Sequence, residues 1–377
     1  MACEPFILIC AGEDSGDCVG EPLVKATVSR YPVKGAGGRR MQTAGMQPLV
    51  DFETLPVSGF GDVLPRYFKL RANFNALKKA LELPECLGLI AIDYPGFNMK
   101  LVARAGELRK PALYVAPPQV WAWKRKRAKV LAENPYAKLA VFFDFEERVY
   151  ADAGCNVVRV QHPFVNPEQD CETTPSQRFL LMPGSRKSQA LRNLPLYLKT
   201  VQMACQSKAI SRMDIVLLAA RQELVGAFEK ALRQFGGDDL LRKIRVVVTP
   251  QNAGDRGAIY RSATLALTAP GTATLELALS ECPMVVCTKP DALTYGLASL
   301  FVKTKYFALP NIILDKLVYP EVIAAPGAEQ RAVTSSVEEI AKCCISKQKP
   351  DSAALRSKLS VGQSLESLMA EFLRQFV

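Results

Sequence analysis

The chain has 377 residues, of which 49% are hydrophobic and 23% are charged, and its formal net charge is +11. This is a globular composition long enough for two domains, and no apolar run approaches the ~20 residues of a membrane-spanning helix, so disordered and membrane-spanning proteins are excluded. The positive charge favours an anionic partner, which could be nucleic acid, a membrane surface or a substrate.

Cysteine and histidine usage argues against a metal centre. The eleven cysteines include no CxxC pair, and His162 is the only histidine. We therefore predict reduced, mostly buried thiols, no metal and no cofactor, in a cytoplasmic protein.

In the first half of the chain, short continuous apolar runs alternate with helical patterns. Such runs are typical of a parallel sheet that helices cover on both faces. The predicted elements are strands at 6–11, 87–92, 112–116 and 138–143, and a helix near Gly20–Ser29.

The pattern restarts after a segment rich in proline and polar residues at 163–177, which reads as a linker. Further strands are predicted at 179–182, 214–219, 244–248, 265–268 and 284–287. We expect two α/β domains facing across a cleft, 1–165 and 178–345. A helical tail, 346–377, should contain an amphipathic helix.

Two strand-end turns in the second half favour phosphate binding. The segment 269–276 (APGTATLE) ends a strand, turns at Gly271 and opens a helix at Thr272, whose free N–H groups can hold a nucleotide diphosphate. Glu276, one turn further, could accept hydrogen bonds from a ribose. Alternatively, Thr272 only caps the helix and Glu276 is a surface charge.

The other turn, 183–186 (PGSR), combines Gly184, Ser185 and Arg186. An arginine fork can bond two phosphate oxygens and could stabilise a departing nucleotide diphosphate. The alternative is an ordinary loop between a strand and a helix.

The first half carries carboxylates at its strand ends instead. In 11–17 (AGEDSGD), acidic residues would repel a diphosphate, so we expect a hydroxyl-bearing acceptor there, unless Asp14 or Ser15 only caps the next helix. Asp93, in 92–98 (IDYPGFN), ends a buried strand, where desolvation raises a carboxylate pKa and favours a general base. Asp93 could instead brace its loop, and His162 could be catalytic or structural.

The sharpest basic cluster lies beside the two tryptophans, as at a membrane interface. A solvated helix start with the tryptophans packed under it would explain the cluster equally well. The predicted membrane contacts are Trp121, Trp123, Lys124, Arg125, Lys126 and Arg127.

Together these blocks resemble the lipid-A-disaccharide synthases. The blocks that carry the resemblance, in order, are AGEDSGD (11–17), GGRRM (37–41), IDYPGFN (92–98), VWAWKRKR (120–127), HPFVN (162–166), PGSR (183–186), GTATLELAL (271–279), CPMVV (282–286) and LFVKTKYFALPNII (300–313).

The resemblance implies a GT-B fold with two Rossmann-like domains and inverting glycosyl transfer. The donor would be UDP-2,3-diacylglucosamine, and the acceptor would be 2,3-diacylglucosamine 1-phosphate (lipid X). The products would be the β-1,6-linked lipid A disaccharide 1-phosphate and UDP. The enzyme would work peripherally at the cytoplasmic face of the inner membrane, without nucleic acid, and a homodimer is also considered.

The resemblance also implies roles for individual residues. Asp93 would be the general base, with Glu13 as the runner-up. The expected UDP-binding residues are Gly184, Ser185, Arg186, Gly271, Thr272, Glu276 and Asn311, and the expected acceptor-binding residues are Gly12, Ser15 and Asp17. An acyl chain is hypothesised to contact Phe60, Val63, Leu64 and Phe68.

The sequence departs from the family pattern at Gly96, Gln161, Asn166, Gln189 and Pro270. Two rival functions are kept open. One is another GT-B UDP-sugar enzyme such as an epimerase, and the other is a basic nucleic-acid-binding protein.

Overall fold

The computed structural model describes residues 4–55, 60–120, 126–165, 176–250, 253–291, 295, 305–346 and 352–376. The chain forms two compact units. Unit 1 comprises Met1–Pro163 and Lys358–Val377, and unit 2 comprises Phe164–Ser357. The end of the chain is therefore divided between the units and does not form a segment of its own.

Unit 1 is built on a sheet whose described strands are all parallel, in the order β3-β2-β1-β4-β5-β6-β7. Every residue of its interior strand β1 is buried, as expected for a sheet covered on both faces. The strands are β1 (Phe6–Ala11), β2 (Val33–Ala36), β3 (Gln47–Pro48), β4 (Cys86–Ile92), β5 (Ala112–Val115), β6 (Ala137–Val141) and β7 (Val157–Arg159).

The helices between these strands are α1 (Asp14–Val28), α2 (Arg39–Thr43), α3 (Phe60–Glu82), α4 (Pro95–Glu107), α5 (Lys126–Ala132) and α6 (Asp144–Asp152). Short 3-10 turns occur at Phe52–Thr54 and Pro163–Val165. Of α3, the side chains are described only from Phe68 onward.

Unit 2 repeats this plan with the described strand order β10-β9-β8-β11-β12-β13, again parallel. Its strands are β8 (Arg178–Met182), β9 (Asp214–Ala219), β10 (Ile244–Val248), β11 (Leu265–Thr268), β12 (Met284–Thr288) and β13 (Glu321–Ile323). Its helices are α7 (Lys187–Ala204), α8 (Lys208–Ser211), α9 (Gln222–Phe235), α10 (Gly237–Lys243), α11 (Ala253–Ser262), α12 (Thr272–Leu279), α13 (Leu309–Leu314) and α14 (Glu329–Ser346).

The predicted amphipathic tail helix is two short helices, α15 (Ala353–Leu359) and α16 (Leu365–Leu373), followed by a 3-10 turn at Arg374–Phe376. The break has a local cause. Gly362 has φ +108°, which a helix cannot continue through, and the Ser364 hydroxyl accepts a hydrogen bond from the Ser367 N–H at 3.1 Å to start α16. Within unit 1, α16 packs against α1.

In both sheets the strand order reverses once, between β1 and β4 in unit 1 and between β8 and β11 in unit 2. Ligands of such sheets bind beyond the carboxyl ends of the strands at this reversal, because the following helices diverge to opposite faces and leave a crevice. Among the helices of the described ranges, none has the length and apolar content needed to cross a membrane.

Candidate active site

The strand reversal of unit 1 brings the two predicted carboxylates onto neighbouring strands. Ala11 of β1 pairs with Ile92 of β4, so Glu13 and Asp93 follow adjacent strand ends. Both side chains are half-buried. The Tyr94 ring lies so close over Gly12 that a Cβ there would be 2.3 Å from the ring, which explains the glycine.

Asp93 lies in an unusual backbone conformation. Asp93 and Tyr94 have φ of +46° and +50°, a left-handed region that costs free energy for residues with a Cβ. Main-chain contacts hold this conformation. The Asp93 N–H donates to the Val115 carbonyl at 2.9 Å, and the Asp93 carbonyl accepts from the Tyr114 hydroxyl at 3.1 Å.

Asn98 is a residue of this site for which the sequence suggested no role. Its fully buried Nδ2 donates to the carbonyls of Cys10, Ile92 and Asp93 at 3.1, 3.0 and 2.9 Å. One amide therefore ties the ends of β1 and β4 together and fixes the backbone from which the Asp93 carboxylate projects.

The hydroxyl of Tyr114, which donates to the Asp93 carbonyl, stays protonated. Burial raises the pKa of its hydroxyl well above the usual value, the charge of Asp93 raises it further, and Arg127 lowers it. Arg127 also lowers the pKa of Tyr150. The half-buried Arg127 guanidinium thus acts electrostatically on the tyrosines behind this site, whereas Lys126 is exposed. Trp121, Trp123, Lys124 and Arg125 lie outside the described residues.

Asp17, which the sequence predicted as an acceptor ligand, is hydrogen-bonded to main-chain N–H groups of unit 1. It is buried, and its two carboxylate oxygens accept hydrogen bonds from the N–H groups of Arg40 and Met41, each at 3.1 Å. The carboxylate therefore caps the start of α2. Gly12 is buried and Ser15 half-buried, and the residue before α1 is Glu13, whose side chain makes no capping bond to the helix.

Two further predictions for unit 1 concern His162 and the hypothesised acyl-chain contacts. His162 is buried against the rings of Phe142 and Phe143, at centroid distances of 4.7 and 6.1 Å, and this burial lowers its pKa to about 3. An imidazole with this pKa is neutral near pH 7, which favours the structural alternative for His162 over the catalytic one. Of the hypothesised acyl contacts, Phe68 is 80% exposed, and the side chains of Phe60, Val63 and Leu64 lie outside the described part.

The strand reversal of unit 2 joins the two predicted phosphate turns. Met182 pairs with Thr268, and the Ala269 N–H donates to the Met182 carbonyl at 2.9 Å, so the turns at 183–186 and 269–272 lie side by side. Gly184 and Gly271 have φ of +128° and +151°, a region that favours glycine. Among the described residues, no atom lies within 4 Å of a Cβ placed on Gly271, so the described part of unit 2 leaves this turn uncovered.

A helix starts directly after each turn without a side-chain cap. Arg186 precedes α7 and Gly271 precedes α12, and neither position makes a side-chain capping bond. The first turns of both helices also lack acidic residues. Their N–H groups and positive dipole ends remain suited to an anion, and the exposed Arg186 adds a cation. Thr272 is the first residue of α12 and does not act as its cap.

Asn193 links this pair of turns to the next strand and was missed by the sequence reasoning. Its buried amide donates to the Pro183 carbonyl at 2.8 Å and accepts from the Lys289 N–H at 2.7 Å. The phosphate turn after β8 is thereby fixed to the end of β12.

Glu276 is partly enclosed by a residue that the sequence did not single out. Arg256 donates from Nε and Nη2 to Oε1 of Glu276 at 3.0 and 2.8 Å. The carboxylate expected to meet a ribose is therefore a member of an ion pair and not a free surface charge.

Comparison with known proteins agrees with this geometry. The model of the lipid-A-disaccharide synthetase family matches residues 7–376. The chain belongs to this family. It is 33% identical over 345 residues to the lipid-A-disaccharide synthase of Trichlorobacter lovleyi, covering 86% of this chain and 85% of that protein. It is 30% identical over 332 residues to lipid-A-disaccharide synthase 1 of Legionella pneumophila strain Lens, covering 84% and 83%.

Solved structures with this fold are more distant in sequence. A UDP-GlcNAc 2-epimerase from Neisseria meningitidis aligns with a TM-score of 0.60 at 9% identity, covering 99% of this chain and all of that one. A glycosyltransferase from Rickettsia africae ESF-5 aligns with a TM-score of 0.51 at 11% identity, covering 100% and 98%. These likenesses show the fold alone, which is the predicted GT-B type built from two Rossmann-like units.

Within this family member, Asn311, which the sequence predicted as a UDP ligand, is hydrogen-bonded inside unit 2. Its buried Nδ2 donates to the Tyr319 carbonyl and to Glu321 at 2.7 and 2.8 Å, and its Oδ1 accepts from the N–H groups of Val318 and Tyr319, each at 2.9 Å. Every hydrogen-bonding group of the amide is occupied, so Asn311 holds the segment between α13 and β13 in place.

The departures from the lipid-A-disaccharide synthase pattern differ in their structural consequence. Gly96 is exposed, and a Cβ there would meet nothing within 4 Å, so the aspartate usual in the family would fit. Gln189 packs against the phosphate turn, with its Oε1 2.8 Å from the position of a Cβ on Gly184. Asn166 lies outside the described residues.

Proposed function

We propose that this protein transfers 2,3-diacylglucosamine from its UDP derivative to the 6-hydroxyl of 2,3-diacylglucosamine 1-phosphate. The products are the β-1,6-linked disaccharide 1-phosphate and UDP. Membership of the lipid-A-disaccharide synthetase family is the observation that carries this proposal. The chemistry of the two strand reversals supports it independently, because one offers carboxylates and the other offers an anion site.

Unit 1 supplies the base. As the acceptor hydroxyl attacks the anomeric carbon it must lose its proton, and a carboxylate positioned at the hydroxyl accepts it. Asp93 is the proposed base because its backbone is fixed by Asn98 and Tyr114. Glu13, on the neighbouring strand end, is the runner-up, and the loop at Gly12 and Ser15 is the proposed acceptor contact.

Unit 2 holds the nucleotide and the departing UDP. Negative charge grows on the leaving diphosphate as the glycosidic bond breaks, and prearranged donors at that place stabilise the transition state. The proposed donors are the turn at Gly184 and Ser185, the Arg186 guanidinium, and the start of α12 at Gly271 and Thr272. This set would neutralise the diphosphate without a divalent metal.

The proposed place of action is the cytoplasmic surface of the inner membrane, since both substrates carry acyl chains. On α5, Lys126 and Lys129 are exposed beside Val130, which is 50% exposed, so part of this helix offers cations and an apolar side chain to solvent. We expect the protein to co-sediment with anionic vesicles, and we expect Lys126→Glu to weaken this binding.

A homodimer is also proposed. Sedimentation velocity, which measures the mass of the protein in solution, would test it.

The test of the reaction is direct. Purified protein is incubated with the UDP-sugar donor and lipid X, with and without EDTA, and disaccharide and UDP are quantified. We expect equal molar amounts of both products, unchanged by EDTA. The proposal fails if folded protein forms no disaccharide with donors of any acyl length. An epimerase would instead change the UDP-sugar without acceptor, and a nucleic-acid-binding protein would show salt-dependent binding to DNA or RNA.

A further inference from the structure

Among the described residues of unit 2, Arg256 is the one charged residue that is buried. Its side chain is only 5% exposed, whereas that of Glu276 is 20% exposed. Nε and Nη2 of Arg256 converge on Oε1 of Glu276, and Nη1 donates to the Pro250 carbonyl at 3.3 Å. The guanidinium is therefore held between the segment after β10 and the helix α12. A buried guanidinium is costly unless it is paired, so this arrangement constrains both side chains.

The two oxygens of Glu276 differ in what they contact. Oε1 accepts both hydrogen bonds from Arg256, and among the described residues no donor reaches Oε2. Glu276 lies four residues after Thr272, about 6 Å further along α12. If a diphosphate binds at the start of α12, this spacing places the free oxygen where the adjoining ribose must lie.

We propose that Arg256 is a positioning residue that turns one oxygen of Glu276 toward the ribose hydroxyls of a uridine nucleotide. This inference rests on the proposed function. Because Arg256 fixes the carboxylate before binding, little side-chain entropy is lost when the ribose hydroxyls donate to it. Arg256 itself does not touch the nucleotide.

The test compares the affinities of UDP and 2′-deoxy-UDP by titration calorimetry. A hydrogen bond to a charged group favours UDP by about tenfold or more in the wild type. In Arg256→Gln we expect this preference to fall below about threefold, with Arg256→Lys intermediate, because a lysine cannot bond Oε1 and Pro250 as a fork. In a Glu276→Gln background, Arg256→Gln should change the preference no further.

Kinetics give a second readout. The ribose is remote from the reacting carbon, so Arg256→Lys should raise the donor KM and keep kcat within about twofold. General structural damage would lower kcat as well. The matched control is Arg233→Gln on α9, whose arginine side chain is 65% exposed in a surface ion pair. This control should keep the nucleotide preference of the wild type.

The results of these experiments distinguish the positioning role of Arg256 from the proposed transferase reaction. The positioning role is overturned if folded Arg256 variants lose affinity for both nucleotides equally, or if the wild type does not distinguish them. Arg256→Lys preserves the buried positive charge. It replaces Arg256→Gln as the test variant if Arg256→Gln does not fold. In either case, disaccharide formation by the wild type tests the proposed reaction separately.

Discussion

The two units share a strand order but differ in the charge of their strand reversals. In unit 1 the turn after β1 starts a helix whose first turn contains Asp14 and Asp17, and Asp93 follows β4. In unit 2 the helices after β8 and β11 have no acidic residue in their first turns, and Arg186 precedes one of them. The same backbone location is therefore acidic in one unit and suited to anions in the other.

This difference indicates that the fold sets where a ligand can bind, whereas the residues of the turns set which charge the ligand can have. The start of a helix attracts an anion through its unpaired N–H groups and its positive dipole end. Carboxylates near that helix start weaken the attraction by repelling the anion. In unit 1 the first turn of α1 already carries Asp14 and Asp17, whose negative charge disfavours an anion and suits the proposed hydroxyl-bearing acceptor. In unit 2 the first turns of α7 and α12 carry no acidic residue, which suits a diphosphate.

The largest expected effect is that of Asp93→Asn. Removing the proposed base should lower kcat by roughly 10²–10⁴-fold while UDP affinity stays near that of the wild type, because the proposed nucleotide site lies in unit 2. Steady-state disaccharide formation and calorimetry with UDP measure the two quantities. A variant with nearly full kcat would remove Asp93 from the role of base.

Arg186→Gln should have the next largest effect, on the nucleotide. Loss of a charge-assisted bond to phosphate should weaken UDP binding by roughly 10- to 100-fold. Calorimetry with UDP measures it, with Arg233→Gln as the exposed arginine control. Unchanged affinity would mean that the turn at 183–186 is an ordinary loop.

Glu13→Gln sharpens the assignment of the base within unit 1. Glutamine keeps the shape and can still hydrogen-bond a hydroxyl, so kcat should fall by less than about tenfold if Glu13 only binds the acceptor. The comparison is the ratio of the kcat losses in Glu13→Gln and Asp93→Asn. A larger loss in Glu13→Gln would reverse the two roles.

His162→Phe should have the smallest effect on activity, because burial against phenylalanine rings lowers the pKa of the imidazole to about 3 and makes it a weak base near pH 7. Its folded pKa of about 3 lies below the unfolded value of 6.5, so the unfolded chain takes up the proton first. Stability is therefore complete above pH 6.5 and falls as the pH drops toward 3, by about 2 kcal/mol at pH 5. Urea unfolding at pH 5 and 7.5 should show this loss in the wild type and not in the variant. An equal loss in both would contradict it.

The sequence predicted much of the fold, because buried parallel strands have a local signature. The continuous apolar runs at 6–11, 214–219, 244–248 and 265–268 are strands with the predicted bounds. The short strands at 33–36 and 47–48, the second of which is at the edge of the sheet, had no such signature. The tail was predicted as a single helix because its apolar spacing hid the break at Gly362.

Within the candidate sites, the sequence could place residues at strand ends but not their partners. Asp93, Arg186 and Gly271 follow strands, so the topology brings them to the expected edges. The bonds of Asn98, Asn193 and Arg256 join residues 5 to 96 positions apart, and no local pattern encodes them. For the same reason, nothing in the sequence indicated that Asp17 bonds the main chain of Arg40 and Met41, or that Asn311 bonds Glu321 and the main chain of Val318 and Tyr319.

The central claim is that unit 1 supplies the base and unit 2 binds the nucleotide. Measuring both UDP affinity and kcat in Asp93→Asn and in Arg186→Gln tests this claim most directly. We predict that Asp93→Asn binds UDP like the wild type and forms almost no disaccharide, whereas Arg186→Gln binds UDP at least about tenfold more weakly. Equal loss of UDP affinity in both folded variants would contradict the separation of base and nucleotide site.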